Sequence, residues 1–102
     1  FIEEPGRSKL IELMRLGQAE VLNEISTGQA CQLEPKKSYI SITTDDDQYL
    51  GALPQDISEK LMPLIESGNQ YCCHVATCNA EECVVFVKER RRSPQNRALT
   101  SF

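Results

Sequence analysis

What this chain lacks narrows its chemistry before anything it contains. It holds one histidine, His74, so any histidine-dependent base must be that residue. Its glycines are Gly6, Gly17, Gly28, Gly51 and Gly68, too far apart for two of them to shape one loop, which removes a glycine-rich phosphate cradle. No CxxC pair occurs among the cysteines. No apolar run approaches the roughly 18 residues of a membrane span, and no basic, apolar, small-residue signal opens the chain. Internal repeats and low-complexity tracts are absent as well. The acids fall at scattered, surface-type positions, so paired carboxylates for acid–base work cannot be argued. These absences predict a module without catalytic residues, cofactor, metal or membrane association.

What is present fits one domain. A chain of 102 residues, 40% apolar and 25% charged, can bury one modest core. It opens on Phe1 rather than Met and so reads as a piece of something longer. Five cysteines is an odd number, and their spacing suggests no disulfide framework. Most read as small, half-buried hydrophobes in a reducing compartment, which predicts a cytoplasmic protein. The net charge of −4 hides an asymmetry. From Lys88 onward five basic side chains stand against the single acid Glu89, whereas the body is acidic. An acidic body repels phosphate backbones, while the Arg90-Arg91-Arg92-Ser93-Pro94 run reads first as a solvated, frayed terminus.

Periodicity supplies the elements. Leu10, Leu13 and Met14, then Val21, Leu22 and Ile25, have helical spacing, with Gly17 as a cap or corner between two short helices. Ala30 to Leu33 reads as a short strand broken at Pro35. Tyr39 to Thr43 is the clearest strand, with Ile40 and Ile42 on its apolar face. The polar Asp45-Asp46-Asp47-Gln48 turn returns the chain as Tyr49 to Ala52. Gly51, inside that strand, marks a bulge or a close backbone approach. Pro54 stops the strand, and Ile57, Leu61, Leu64 and Ile65 make one helical face. Pro63 should bend that helix or loosen its last turn, and Gly68-Asn69 provides a left-handed exit. Tyr71 to Thr77 and Cys83 to Lys88 form a last hairpin, its Val84 to Val87 run apolar enough to be covered on both faces.

Few side chains offer chemistry. Cys72, Cys73, His74, Cys78 and Cys83 invite a zinc reading, but at about 3.3 Å per strand residue His74 and Cys78 lie roughly 13 Å apart. Cys78 and Cys83 flank the hairpin tip, where they supply at most two ligands or one disulfide. A Cys–His dyad would need Cys83 or Cys31 from another strand. The three aspartates lack the later glycine and glutamate of a calcium loop. Tyr39, Tyr49 and Tyr71 all begin strands. They can stack bases or cap the core with wet hydroxyls, and the absence of interleaved basic residues favours capping.

Two resemblances follow from the motifs. Ile40 and Ile42, the Leu50-Gly51-Ala52-Leu53-Pro54 step and the Leu61-Met62-Pro63-Leu64-Ile65-Glu66-Ser67-Gly68 ending resemble the core of HIRAN-type domains. That resemblance implies an OB-like barrel, and some such domains grip the end of single-stranded DNA. Over Glu4 to Lys88 the chain also resembles an uncharacterised module that follows tetratricopeptide repeats in some bacterial proteins. There the shared features are the Pro5-Gly6-Arg7-Ser8-Lys9-Leu10 entry, the Leu33-Glu34-Pro35-Lys36-Lys37 step and the Leu-Gly-Ala-Leu-Pro step.

The expected fold is therefore α+β, mainly β: a small five-stranded, partly closed barrel with an inserted helix and N-terminal helices. Residues 1–28 form the helical segment, 29–88 the barrel and 89–102 a basic tail. The leading functional expectation is a non-enzymatic accessory or interaction module of a larger intracellular, repeat-containing protein, its protein partner unspecified. The alternative is a single-stranded nucleic-acid binder that stacks bases on Tyr39, Tyr49 and Tyr71 and holds phosphates with Lys36, Lys37 and Lys60.

Overall fold

The computed structural model describes residues 2–102. Six antiparallel strands form one sheet in the order β1-β6-β5-β2-β3-β4. In chain order they are β1 (Ser8–Glu12), β2 (Ala30–Pro35), β3 (Ile40–Thr44), β4 (Tyr49–Ala52), β5 (Gln70–Cys78) and β6 (Cys83–Arg91). Two helices interrupt them, α1 (Ala19–Leu22) and α2 (Gln55–Glu66). The fold is mainly β, as expected, but it has six strands rather than five.

The additional strand is β1, where helical spacing predicts a helix. All five of its residues pair with β6, from Ser8 opposite Lys88 to Glu12 opposite Val84. Leu10, Ile11, Leu13 and Met14 fit a helical period, but Ile11 and Leu13 also alternate as a strand requires. Along β1 and the extended residues that follow it, Ile11 and Leu13 are buried, while Leu10 and Met14 are exposed. The free backbone edge of β6 needs partners, and β1 supplies them, so tertiary pairing overrides a weak local preference. Of the two predicted helices only the four-residue α1 forms, anchored by the fully buried Leu22.

The sheet curls until its ends meet. Past β1 the chain continues alongside β4: Met14 and Ala52 exchange backbone hydrogen bonds of 2.8 Å, and Gly17 N–H donates to Leu50 O at 3.0 Å. On the other flank Leu13 N–H donates to Cys83 O at 2.8 Å. This closure explains two glycines. A Cβ on Gly51 would stand 2.9 Å from Leu13 Cβ and 3.0 Å from Met14 O. A Cβ on Gly17 would collide with Tyr49 O. The close approach expected at Gly51 is therefore the barrel's own seam. The β3–β4 ladder also shifts register there, between Ile42 and Thr43.

Helix α2 packs across the curl. Leu61 and Leu64 are buried, Ile57 and Ile65 are half-buried against the core, and Ser58 takes the remaining inward position. Its hydroxyl accepts from Ile40 N–H at 3.2 Å and donates to Leu53 O at 3.3 Å, tying the helix to the strands beneath. Pro63 falls in the last turn, and the helix continues through it to Glu66. Gly68 takes the left-handed exit with φ +113°, but Asn69 does not. Asn69 is instead buried and polar-bonded.

Those bonds hold the C-terminal residues, which are neither frayed nor fully solvated. Strand β6 runs to Arg91, beyond the expected end at Lys88, and a 3-10 turn follows at Pro94–Asn96. Asn69 Oδ1 accepts from Ser93 N–H at 2.8 Å and from Asn96 Nδ2 at 2.9 Å. Ser101 N–H donates to Gly6 O at 3.1 Å, and its hydroxyl meets Tyr71 Oη at 2.7 Å. Glu89, 2% exposed, is gripped by Arg92 at 2.7 and 3.1 Å. Residues 2–28 and 89–102 thus share in the sheet and its packing.

Candidate functional site

Where the barrel closes, the chain turns a sharp corner after β1. Arg15 sits at that corner in the left-handed region, with φ +50°. The short β2–β3 turn, closed by Lys36 N–H donating to Tyr39 O at 2.7 Å, brings Tyr39 to the same place. The β4–α2 junction contributes Leu53, Pro54 and Gln55. Together these elements line a cleft of about 140 Å³, with Met14 and Ala52 on its wall.

Its chemistry is cationic and aromatic. The Arg15 guanidinium carbon lies 6.0 Å from the centroid of the Tyr39 ring, within cation–π range. Tyr49 Oη donates to Arg15 O at 2.6 Å and fixes the corner from behind. Burial pushes the Tyr49 phenol above its usual pKa, Tyr39 adds to the rise, and Arg15 opposes it. Gln55 Nε2 bonds Ser38 O at 3.3 Å and Glu59 Oε1 at 3.1 Å, bracing the turn that carries Tyr39. Among the described residues no carboxylate lines the cleft. By contrast, the hollows beside the β3–β4 turn are lined by Asp46, Asp47 and Glu24.

The six residues singled out from the sequence do not form one group. Tyr39 lines the cleft, and Tyr49 supports it. Tyr71 is elsewhere: its hydroxyl meets Asn69 at 3.1 Å and Ser101, and its ring packs edge-on against Phe102 at 6.2 Å. Lys36 pairs with Glu34 at 2.9 Å, and that pairing lowers the glutamate's pKa and raises the lysine's. Lys37 is exposed on the same turn as Tyr39. Lys60 is exposed on α2 and does not line the cleft. Arg15 escapes a reading of the sequence because a helix through residues 10–16 would leave it on a solvated face. The signal that finds it is Gly17, whose lack of a side chain lets the corner press against Tyr49.

Four of the five thiols form two cross-strand pairs. Cys31 Sγ meets Cys73 Sγ at 2.9 Å in the core, and Cys78 opposes Cys83 on the β5–β6 hairpin. All five cysteines are free. Cys73 is held well above the usual thiol pKa by its hydrogen bond with Cys31 and by burial, and Cys83 is raised chiefly by burial. Among the described residues no three histidine, cysteine or acidic side chains converge as metal ligands. No helix among them is long and apolar enough to cross a membrane.

No family model and no curated protein sequence matches the chain. Among solved structures it is similar to the HIRAN domain of human HLTF, with a TM-score of 0.70 and 14% identity, over 91% of this chain and 82% of that one. The shared features are three-dimensional rather than residue by residue, and in its fold this chain is a HIRAN-like domain.

Proposed function

We propose that this domain binds single-stranded nucleic acid and that the Arg15–Tyr39 cleft is where it does so. The observation that carries the reading is the pairing of a guanidinium with an accessible aromatic ring in a cleft that no described carboxylate lines. A base stacks on Tyr39 and a phosphate meets Arg15, the combination by which single strands are held without reading their sequence. At about 140 Å³ the cleft is smaller than the roughly 300–1,000 Å³ of pockets for drug-sized ligands, which suits one base or a strand end rather than a duplex. Lys37, exposed on the Tyr39 turn, adds positive charge. The HIRAN-like fold favours this reading over the accessory module beside tetratricopeptide repeats, for which no feature of the fold speaks.

Fluorescence anisotropy with a labelled single-stranded oligonucleotide tests it. Binding weakens as salt rises. Arg15→Ala makes the salt slope shallower by about 0.7, the share of one neutralised phosphate on a single strand. Tyr39→Ala costs about 1–3 kcal/mol of stacking, while Tyr39→Phe retains most of it. Absence of binding at low salt, or indifference to both alanine variants, refutes the proposal.

A further inference from the structure

A second cleft lies toward the other end of α2. Strands β2 and β5 share only two paired positions, Ala30 opposite His74 and Cys31 opposite Cys73. Beyond them the strands part, and between them opens a cleft of about 520 Å³. Leu33 and Ile65 give it an apolar lining, and Gln32, Tyr71, His74 and Arg90 line it with polar groups. Among the described residues no carboxylate lines it.

Arg90 is there because of an irregularity. In the β5–β6 ladder Gln70 opposes Arg91 and Tyr71 opposes Glu89, so Arg90 is the extra residue of a bulge. Bulges turn a side chain away from the ladder's regular alternation. Of the neighbouring cations, Lys88 pairs with Glu4 at 3.1 Å and Arg92 with Glu89, while Arg91 is exposed but does not line the cleft. Among the described residues no carboxylate lies within ion-pair distance of Arg90, and the residue is exposed. In a chain of net charge −4, such a guanidinium in a carboxylate-free cleft is a place for an anion.

We infer that this cleft is a second phosphate contact for the same bound strand, with Arg90 as its anchor. The inference rests on the reading of the Arg15–Tyr39 cleft as a single-strand site. The spacing supports it. Gln55 lines the first cleft and Ile65 the second. Along the helix those residues are about 15 Å apart at about 1.5 Å per residue. A stacked strand advances about 3.4 Å per nucleotide, so four or five steps join the two clefts. A dinucleotide fills the first cleft only, whereas an eight-nucleotide strand reaches both.

The experiment compares a labelled thymidine dinucleotide with a labelled thymidine octanucleotide on the wild-type domain, Arg90→Ala and Arg91→Ala. Both substituted residues are exposed, so the fold is retained. The wild type is expected to bind the octanucleotide more tightly than the dinucleotide. Arg90→Ala should remove about tenfold of octanucleotide affinity, the size of one charge-assisted hydrogen bond, with a shallower salt dependence and dinucleotide binding unchanged. Arg91→Ala, which removes the same charge one residue away and outside the cleft, should change neither. Octanucleotide binding that is unaltered by Arg90→Ala, or lowered equally by Arg91→Ala, overturns the second cleft's role and leaves the first cleft standing. Failure of the wild type to bind either oligonucleotide overturns both.

Discussion

Two groups of polar side chains flank α2 and are used in opposite ways. Beyond its C-terminus, Asn69, Ser93, Asn96, Ser101, Tyr71, Glu89 and Arg92 satisfy one another in a network that is largely buried. Next to its N-terminus, Arg15 has a tyrosine ring for company and no carboxylate among its lining neighbours. A saturated network stabilises the fold and has little left to offer a ligand. A cation set against an aromatic face has its charge still to give. The same residue types thus serve architecture in one place and recognition in the other, and the difference lies in whether their bonding capacity is already used.

The largest effect that would challenge this division belongs to the seam beside the Arg15–Tyr39 cleft. Gly51→Val drives a branched side chain into Leu13 Cβ and Met14 O, and thermal melting should show a loss of about 3 kcal/mol or an unfolded chain. Asp46→Ala, which removes only the acceptor of the Thr44 hydroxyl on the β3–β4 turn, should cost about 1 kcal/mol. Equal melting temperatures would mean that the seam is not tight.

Next comes Asn96→Ala. It leaves the buried Asn69 Oδ1 and the half-buried Ser67 Oγ each short of a donor, a loss of about 1–3 kcal/mol by denaturant titration. Oligonucleotide affinity should stay constant. A drop in affinity with intact folding would show that the C-terminal network does more than hold the fold.

Arg92→Gln sharpens the comparison through pH. The hydrogen bond from Arg92, foremost, holds the Glu89 carboxyl below the usual glutamate range, against the opposing effect of burial. A depressed carboxylate contributes stability above its unfolded pKa of about 4.3 and loses it as pH falls through the folded value. The variant should therefore melt several degrees lower at neutral pH, with the gap to the wild type closing on acidification. A gap independent of pH would assign the loss to packing of the arginine stem. The smallest effect is expected of Lys60→Ala, on the exposed face of α2 outside both clefts: no change in melting, and no change in oligonucleotide affinity beyond experimental scatter.

Legibility in the sequence followed the density of local constraint. From Ile40 to Gly68 a β-branched strand, a polar turn, a Leu-Pro stop and an amphipathic helix each admit one local structure, and each forms about where it is read. The N-terminal segment does not have that property. Leu10, Ile11, Leu13 and Met14 satisfy a helical and an extended period alike, and only the exposed flank of β6 chooses between them. Arg15 was hidden by that ambiguity, since its importance depends on a corner that exists only when β1 is a strand. Arg90 was hidden in another way, because a bulge leaves no mark on composition. The C-terminal residues look like a solvated tail by charge. Their small polar members, Ser93, Asn96 and Ser101, are what tie them down, through partners distant in sequence.

The ring of strands shuts beside the Arg15–Tyr39 cleft through three backbone hydrogen bonds, two between Met14 and Ala52 and one from Gly17 to Leu50. So short a latch parts more readily than the long β5–β6 ladder, and its amides should exchange with solvent sooner. A molecule seated against Arg15 and Tyr39 would brace that latch from outside, so occupancy should be legible as slowed exchange at Met14 and Ala52.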